Sequence, residues 1–114
     1  MLAKLMIPLT IALACGVLAA QAWASSSRLV GLHDNFITFS SASAPHGSVT
    51  FTVTNRGLNT HTFNIKRVST GKVLFQSARL ASGKRITVTR TLATGKYRIY
   101  CTIHARMYKI FTAS

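Results

Sequence analysis

Hydrophobic and polar residues alternate with a period of two along much of the chain after residue 25. Val49, Phe51 and Val53 alternate with threonines, and the same pattern returns at Ile86 and Val88. Such alternation gives one apolar and one polar face, which is typical of a half-buried β-strand and not of a helix. Short motifs that contain glycine separate these runs and indicate turns. We therefore predict strands near residues 28–32, 35–40, 48–55, 61–68, 73–79, 84–92, 95–102 and 107–113. Seven to eight short strands predict an all-β protein, an antiparallel β-sandwich or small barrel.

The phase of two predicted strands decides which side chains point inward. In the strand that contains Arg98, the basic residue should face water, which turns Cys101 toward the core. In the strand that begins with His61, the histidine shares its face with the apolar residue Phe63. If these two strands run antiparallel, Cys101 and His61 lie at the same pole of the sandwich.

The N-terminal segment has the layout of a secretory signal peptide. Lys4 precedes an almost unbroken apolar run over residues 5–20, and the small-x-small sequence Ala22-Trp23-Ala24 follows it. This pattern predicts a signal peptide over residues 1–24, cleavage near Ala24, and export to the periplasm. An uncleaved membrane anchor is the alternative, because the apolar run is almost long enough to span a bilayer. Residues 25–114 then form one domain with a single modest core.

Loss of the predicted signal peptide also removes one of the two cysteines. Cys15 lies in that segment, so Cys101 becomes the single thiol of the exported domain. A single cysteine cannot form a disulfide within its own chain. We expect it to be buried, paired between chains, or bound to a metal ion.

The charge of the chain is strongly positive. Fourteen lysines and arginines face a single acidic residue, Asp34. The lone acid excludes catalysis by paired carboxylates, which needs two. The positive field favours encounter with anionic partners such as acidic proteins, phospholipid head groups or nucleic acid.

Three residues with metal-binding side chains lie on one short segment near the C-terminus. Cys101, His104 and Met107 have the spacing C-x-x-H-x-x-M, and strand phase brings His61 to the same pole. Each residue alone has an ordinary explanation as a core or loop side chain. Together, two imidazoles, one thiolate and a weak thioether are the ligand set of a blue-copper electron-transfer centre. Zinc is the alternative occupant, although a thioether is a poor zinc ligand.

Two longer segments resemble a known family. The segments GSVTFTVTNRGLNTHTFNI and LATGKYRIYCTIHARM are similar to those of cupredoxins of the plastocyanin, pseudoazurin and amicyanin group, and the short gap between histidine and methionine is similar to that of amicyanin. The resemblance implies a Greek-key β-sandwich or barrel and one type 1 copper per chain, bound by His61, Cys101, His104 and Met107. It also implies electron transfer without enzymatic chemistry.

Several positions depart from the family pattern or remain outside the ligand set. Thr62 stands where many relatives have an asparagine that ties the two ligand loops together, whereas Thr102 after the cysteine fits the family pattern. The hydroxyl of Thr62 can still hydrogen-bond across the loops. Ile103 replaces a proline common in relatives with short loops, so its backbone N–H is free to donate to the cysteine sulfur. We interpret His33 and His46 as surface or structural residues.

We expect the redox partner to be an acidic protein such as a cytochrome or an oxidase domain, and the protein itself to be a monomer without a small-molecule substrate. Its charge also allows association with an anionic membrane surface.

A copper carrier without a redox role is the main alternative. A basic adhesion or nucleic-acid-binding module would explain the charge but not the ligand spacing, and export argues against nucleic acid. An oxidase is disfavoured because one copper ion cannot deliver four electrons to oxygen.

Overall fold

The computed structural model describes residues 24–114, and the predicted signal peptide lies outside the described residues except for Ala24. Every regular element in this range is a β-strand, and no helix in it could span a membrane. The strands are β1 (Ala24–Leu32), β2 (Ile37–Phe39), β3 (Ser43–Ala44), β4 (Gly47–Asn55), β5 (Asn64–Arg67), β6 (Val73–Gln76), β7 (Arg85–Leu92), β8 (Gly95–Tyr100) and β9 (Tyr108–Ala113).

The strands form two sheets. One sheet has the order β2-β1-β4-β7, and the other has the order β3-β9-β8-β5-β6. The predicted all-β sandwich is therefore confirmed. The described residues contain nine strands and not seven to eight, because β3, with only two residues, pairs with β9.

The expectation of purely antiparallel sheets is wrong. Strand β1 runs parallel to β4, and β3 runs parallel to β9. The chain leaves the first sheet after β2, adds β3 to the second sheet, and returns to the first sheet as β4. The connection from β2 to β4 passes through the other sheet and is not a hairpin turn. It therefore does not force β4 to run antiparallel to its neighbour β1.

The core lies between the inward faces of the two sheets. Along β4, buried residues alternate with half-buried ones, as its sequence predicts. Phe51, at the centre of β4, contacts Phe63, which directly precedes β5, and Phe111 of β9, with ring centroids 5.7 and 5.2 Å apart. All three side chains are fully buried. Aromatic contacts of this kind add to the free energy gained by burying apolar surface, and they join the two sheets.

Strand direction places the start of β5 and the end of β8 together. The two strands are antiparallel, and Asn64 pairs with Tyr100. His61 precedes β5 and Cys101 follows β8, so both residues lie at the same pole of the sandwich. The side chains of His61, Phe63 and Cys101 are buried, which confirms the predicted strand phase.

Candidate metal centre

His61 lies on the segment that joins β4 to β5, three residues before β5 begins. Its backbone forms an isolated bridge with Leu80, and its side chain is fully buried. The strand predicted for residues 61–68 therefore starts later than expected. The reason is that the backbone N–H groups of Thr62 and Phe63 donate to side chains, the sulfur of Cys101 and the hydroxyl of Ser77, and so do not join the sheet.

The connection between β8 and β9 contains the other three candidate residues. The backbone N–H of Cys101 donates to the carbonyl of Met107 at 3.0 Å, and that of Met107 donates to the carbonyl of His104, also at 3.0 Å. These bonds close a compact loop. Cys101 and Met107 are buried, whereas His104 is half-buried.

Three donor atoms converge at this pole. The Nδ1 atoms of His61 and His104 are 3.2 Å apart, and the sulfur of Cys101 lies 3.6 Å from Nδ1 of His104 and 4.0 Å from Nδ1 of His61. These residues form the one histidine, cysteine and carboxylate cluster with metal-site spacing among residues 24–114.

The size of this triangle fits a single metal ion. The point equidistant from the three atoms lies about 2.1 Å from each, close to the bond lengths of zinc, about 2.0–2.1 Å to nitrogen and about 2.3 Å to sulfur. Two imidazoles and a thiolate in a trigonal arrangement, with methionine as a weak axial ligand, are the donor set of a blue-copper site.

The surroundings of Cys101 favour its thiolate form. Burial acts to raise the pKa of the thiol, but hydrogen bonds from the backbone N–H groups of Thr62 and Ile103 act in the other direction, as does the ring of His104. The balance lowers the pKa of Cys101 to about 6. The thiolate is the form that binds metal ions, and with this pKa it is the main form of Cys101 at neutral pH. The N–H of Ile103, which the sequence left free to donate to the sulfur, is among the causes of this lowering.

Thr62 connects the two segments that carry the donor atoms. Its hydroxyl lies 2.9 Å from that of Thr102, and it also accepts hydrogen bonds from the backbone N–H of Thr102 and the side chain of Asn64. The predicted contact across the loops is confirmed. These bonds link the segment that carries His61 to the segment that carries Cys101 and His104.

Asp34 is the site residue that the sequence did not indicate. Its carboxylate lies 3.1 Å from Nε2 of His61 and accepts the backbone N–H groups of Leu58 and Asn59. The N–H groups of Asn59 and Leu58, together with the ring of His61, lower the pKa of Asp34 to about 2. The carboxylate is therefore charged at neutral pH. His61 lies 27 residues away along the chain, and no local pattern signals the contact.

The two remaining histidines lie outside the cluster. His33 stacks on Phe36, with ring centroids 4.4 Å apart, and its Nε2 lies 3.2 Å from the hydroxyl of Thr38. His46 bonds the backbone carbonyl of Ser114 through Nδ1. Both contacts agree with the structural role predicted for these residues.

Comparison with known proteins assigns the family. The model of the cupredoxin-like domain family matches residues 5–110, so the chain belongs to that family. This confirms the resemblance that the sequence indicated. No significant match is found among curated proteins.

Solved structures show the same fold. A purple cupredoxin from Nitrosopumilus maritimus is 28% identical, with a TM-score of 0.55 over 78% of this chain and 99% of its own. A reduced auracyanin from Roseiflexus castenholzii is 18% identical, with a TM-score of 0.59 over 82% and 98% of the two chains. Auracyanin A from Chloroflexus aurantiacus, described as a blue copper protein, is 14% identical, with a TM-score of 0.61 over 80% and 100%.

Proposed function

We propose that the protein is a one-electron carrier that binds a single type 1 copper ion through His61, Cys101, His104 and Met107. The observation that carries the proposal is the convergence of the Cys101 sulfur and two imidazole nitrogens into a triangle that fits one ion. Thiolate and thioether favour Cu(I), whereas imidazole accepts both oxidation states. Because this ligand set suits neither oxidation state completely, the ion can gain and lose an electron with little rearrangement of the site.

The ligand residues have different roles in electron transfer. Cys101 supplies the thiolate, and the hydrogen bonds at its sulfur and across Thr62 and Thr102 keep the donor atoms in place in both oxidation states. His61 is sealed from solvent, whereas the half-buried His104 brings a ring edge to the surface. We assign His104 as the point where the electron enters and leaves. No bond in a substrate is made or broken, so the protein is not an enzyme.

The partner that we propose is an acidic redox protein, such as a cytochrome or an oxidase domain, and we place the encounter in the periplasm. Two of the exposed cations lie on the ligand-bearing segments themselves, Arg56 before His61 and Arg106 after His104. They would attract an acidic surface toward the edge of His104. We expect the protein to act as a monomer.

The test of this function is the visible spectrum of the purified protein after addition of Cu(II). We expect one equivalent to produce an intense thiolate-to-copper absorption band that disappears on reduction and returns on reoxidation. Zn(II), which has no such band, serves as the control for simple binding. Tight copper binding without the band would support a copper carrier without a redox role, and absence of copper binding would contradict both functions.

Replacement of Ile103 by proline should lower the reduction potential. The Ile103 N–H stabilises negative charge on the sulfur, which weakens donation to Cu(II), and proline has no N–H. Because a hydrogen bond to a charged group contributes about 1.5–3 kcal/mol and only part of it differs between oxidation states, we expect a decrease of up to about 60 mV, a tenfold change in affinity ratio. Voltammetry of the copper-loaded protein measures this shift. Ile103→Ala keeps the N–H and should leave the potential near that of the wild type; an equal decrease in both variants would contradict the explanation.

A further inference from the structure

Asp34, the single acidic residue of the chain, lies on the short connection between β1 and β2. In a protein with fourteen basic side chains, an exposed carboxylate would have many surface cations to pair with. Asp34 instead turns toward the metal centre, where Oδ1 accepts N–H groups from Leu58 and Asn59 at 3.0 Å each and lies 3.1 Å from Nε2 of His61. The carboxylate thus joins the backbone before His61 to the ring of His61.

The backbone at Gly57 packs closely against this carboxylate. A Cβ atom at position 57 would collide with the Asp34 carboxylate and would lie 3.0 Å from Nε2 of His61, so glycine is needed there. The side chain of Asn55 accepts the N–H of Gly57 at 2.9 Å and donates to the carbonyl of Asn59 at 2.8 Å. Asn55 therefore holds the backbone segment whose N–H groups the carboxylate accepts.

The contact also decides which nitrogen of His61 faces the donor triangle. The Asp34 carboxylate is a hydrogen-bond acceptor, so Nε2 must carry the proton that is donated to it. In the neutral ring Nδ1 is then unprotonated, and its lone pair points toward Cys101 and His104. Pairs of carboxylate and histidine orient metal ligands in this way in many metal sites.

We propose that Asp34 is a positioning residue of the metal centre, which fixes the ring and tautomer of His61 and places a negative charge beside the ligand that favours Cu(II) over Cu(I). The part that concerns copper rests on the function proposed above. The part that concerns the tautomer is a property of the protein without metal. The two parts can therefore be tested separately.

The tautomer is tested by NMR on the metal-free protein. Long-range nitrogen–proton spectra, recorded above the ordinary histidine pKa of about 6.5, distinguish protonation at Nε2 from protonation at Nδ1. We expect His61 to hold the Nε2–H form in the wild type and in Asp34→Asn, whose side-chain oxygen remains an acceptor, and to become a mixture of forms in Asp34→Ala. An unchanged single Nε2–H form in Asp34→Ala overturns the positioning role, whether or not the protein binds copper.

The charge is tested by the reduction potential and copper affinity of the same variants. We expect the reduction potential to rise by about 59 mV in both Asp34→Asn and Asp34→Ala. For a one-electron couple, this rise corresponds to a tenfold increase in the ratio of Cu(I) affinity to Cu(II) affinity. Asp34→Ala should also bind Cu(II) about 10–100-fold more weakly in competition with a chelator, as expected on loss of a group that orients a ligand.

Thr91→Lys is the matched control for the change in net charge. Thr91 is exposed and pairs with Ser48 near the start of β4, at the pole opposite His61, and its replacement adds the same single positive charge. We expect its potential and His61 tautomer to match those of the wild type. If Asp34→Asn shifts the potential no more than Thr91→Lys does, the proposed effect of the local charge is overturned.

Discussion

Replacement of Cys101 by serine abolishes the intense visible band of the copper-loaded protein. The band requires transfer of charge from a thiolate to Cu(II), and a serine hydroxyl is neither deprotonated at neutral pH nor a soft donor. The two side chains are similar in size, so the buried site should remain folded. We expect complete loss of the band and a marked loss of copper affinity, both measured in one titration followed by visible absorption.

In the uncleaved chain, Cys15→Ser is the matched control, since it removes the only thiol other than Cys101. It should leave the band and its intensity unchanged. A band that survives in Cys101→Ser, or that vanishes in Cys15→Ser, would show that the sulfur ligand has been assigned to the wrong residue. Circular dichroism of both variants in the far ultraviolet checks that the β-sandwich is retained.

The inward direction of the key side chains could be predicted because it depends only on near neighbours. Cys101 lies an odd number of residues from Arg98 and His61 lies two from Phe63, so alternation along a strand decides their faces. Their meeting at one pole needed the added assumption that β5 and β8 run antiparallel, which the pairing of Asn64 with Tyr100 bears out.

Features that depend on pairing between distant residues could not be predicted from the alternation along a strand. The two residues of β3 carry no alternating pattern, and the strand exists only because Ser43 and Ala44 pair with Thr112 and Ala113. The late start of β5 has a similar origin. The N–H of Thr62 is taken by the sulfur of Cys101, a contact across 39 residues that no local propensity describes.

The contact between Asp34 and His61 at the metal centre could not be predicted from the sequence for the same reason. From the sequence the notable property of Asp34 was its isolation among basic residues, which argued only against carboxylate catalysis. Its contact with His61 depends on how the β1–β2 connection folds over the segment before β5, and loop geometry of this kind follows from the packed sandwich rather than from a local motif.

Electron transfer to anionic reagents should be strongly dependent on salt. The basic surface attracts an anion such as hexacyanoferrate(III), and the attraction weakens as the Debye length falls from about 30 Å at 0.01 M to about 3 Å at 1 M ionic strength. Because electrostatic steering raises association rates by about 10–10³-fold, we expect oxidation of the Cu(I) protein to slow at least tenfold over this range. Stopped-flow absorption, which follows the return of the visible band, measures the rate.

A cationic oxidant provides the opposite expectation with the same protein. The rate with tris(phenanthroline)cobalt(III) should rise with salt, because screening weakens repulsion. A fall with both reagents would indicate a general effect of salt on the protein and would contradict steering.

The location of the effective charge can be tested with two variants that each remove one cation. Arg106→Gln changes the exposed arginine on the ligand loop, two residues after His104, whereas Lys72→Gln changes an exposed lysine on the turn after β5, away from the start of β5 where the site lies. Since screened charges act over short distances, Arg106→Gln should reduce the rate with hexacyanoferrate(III) and its salt dependence more than Lys72→Gln does. Equal effects of the two variants would mean that the net charge alone guides the encounter and that His104 has no privileged role as the point of electron entry.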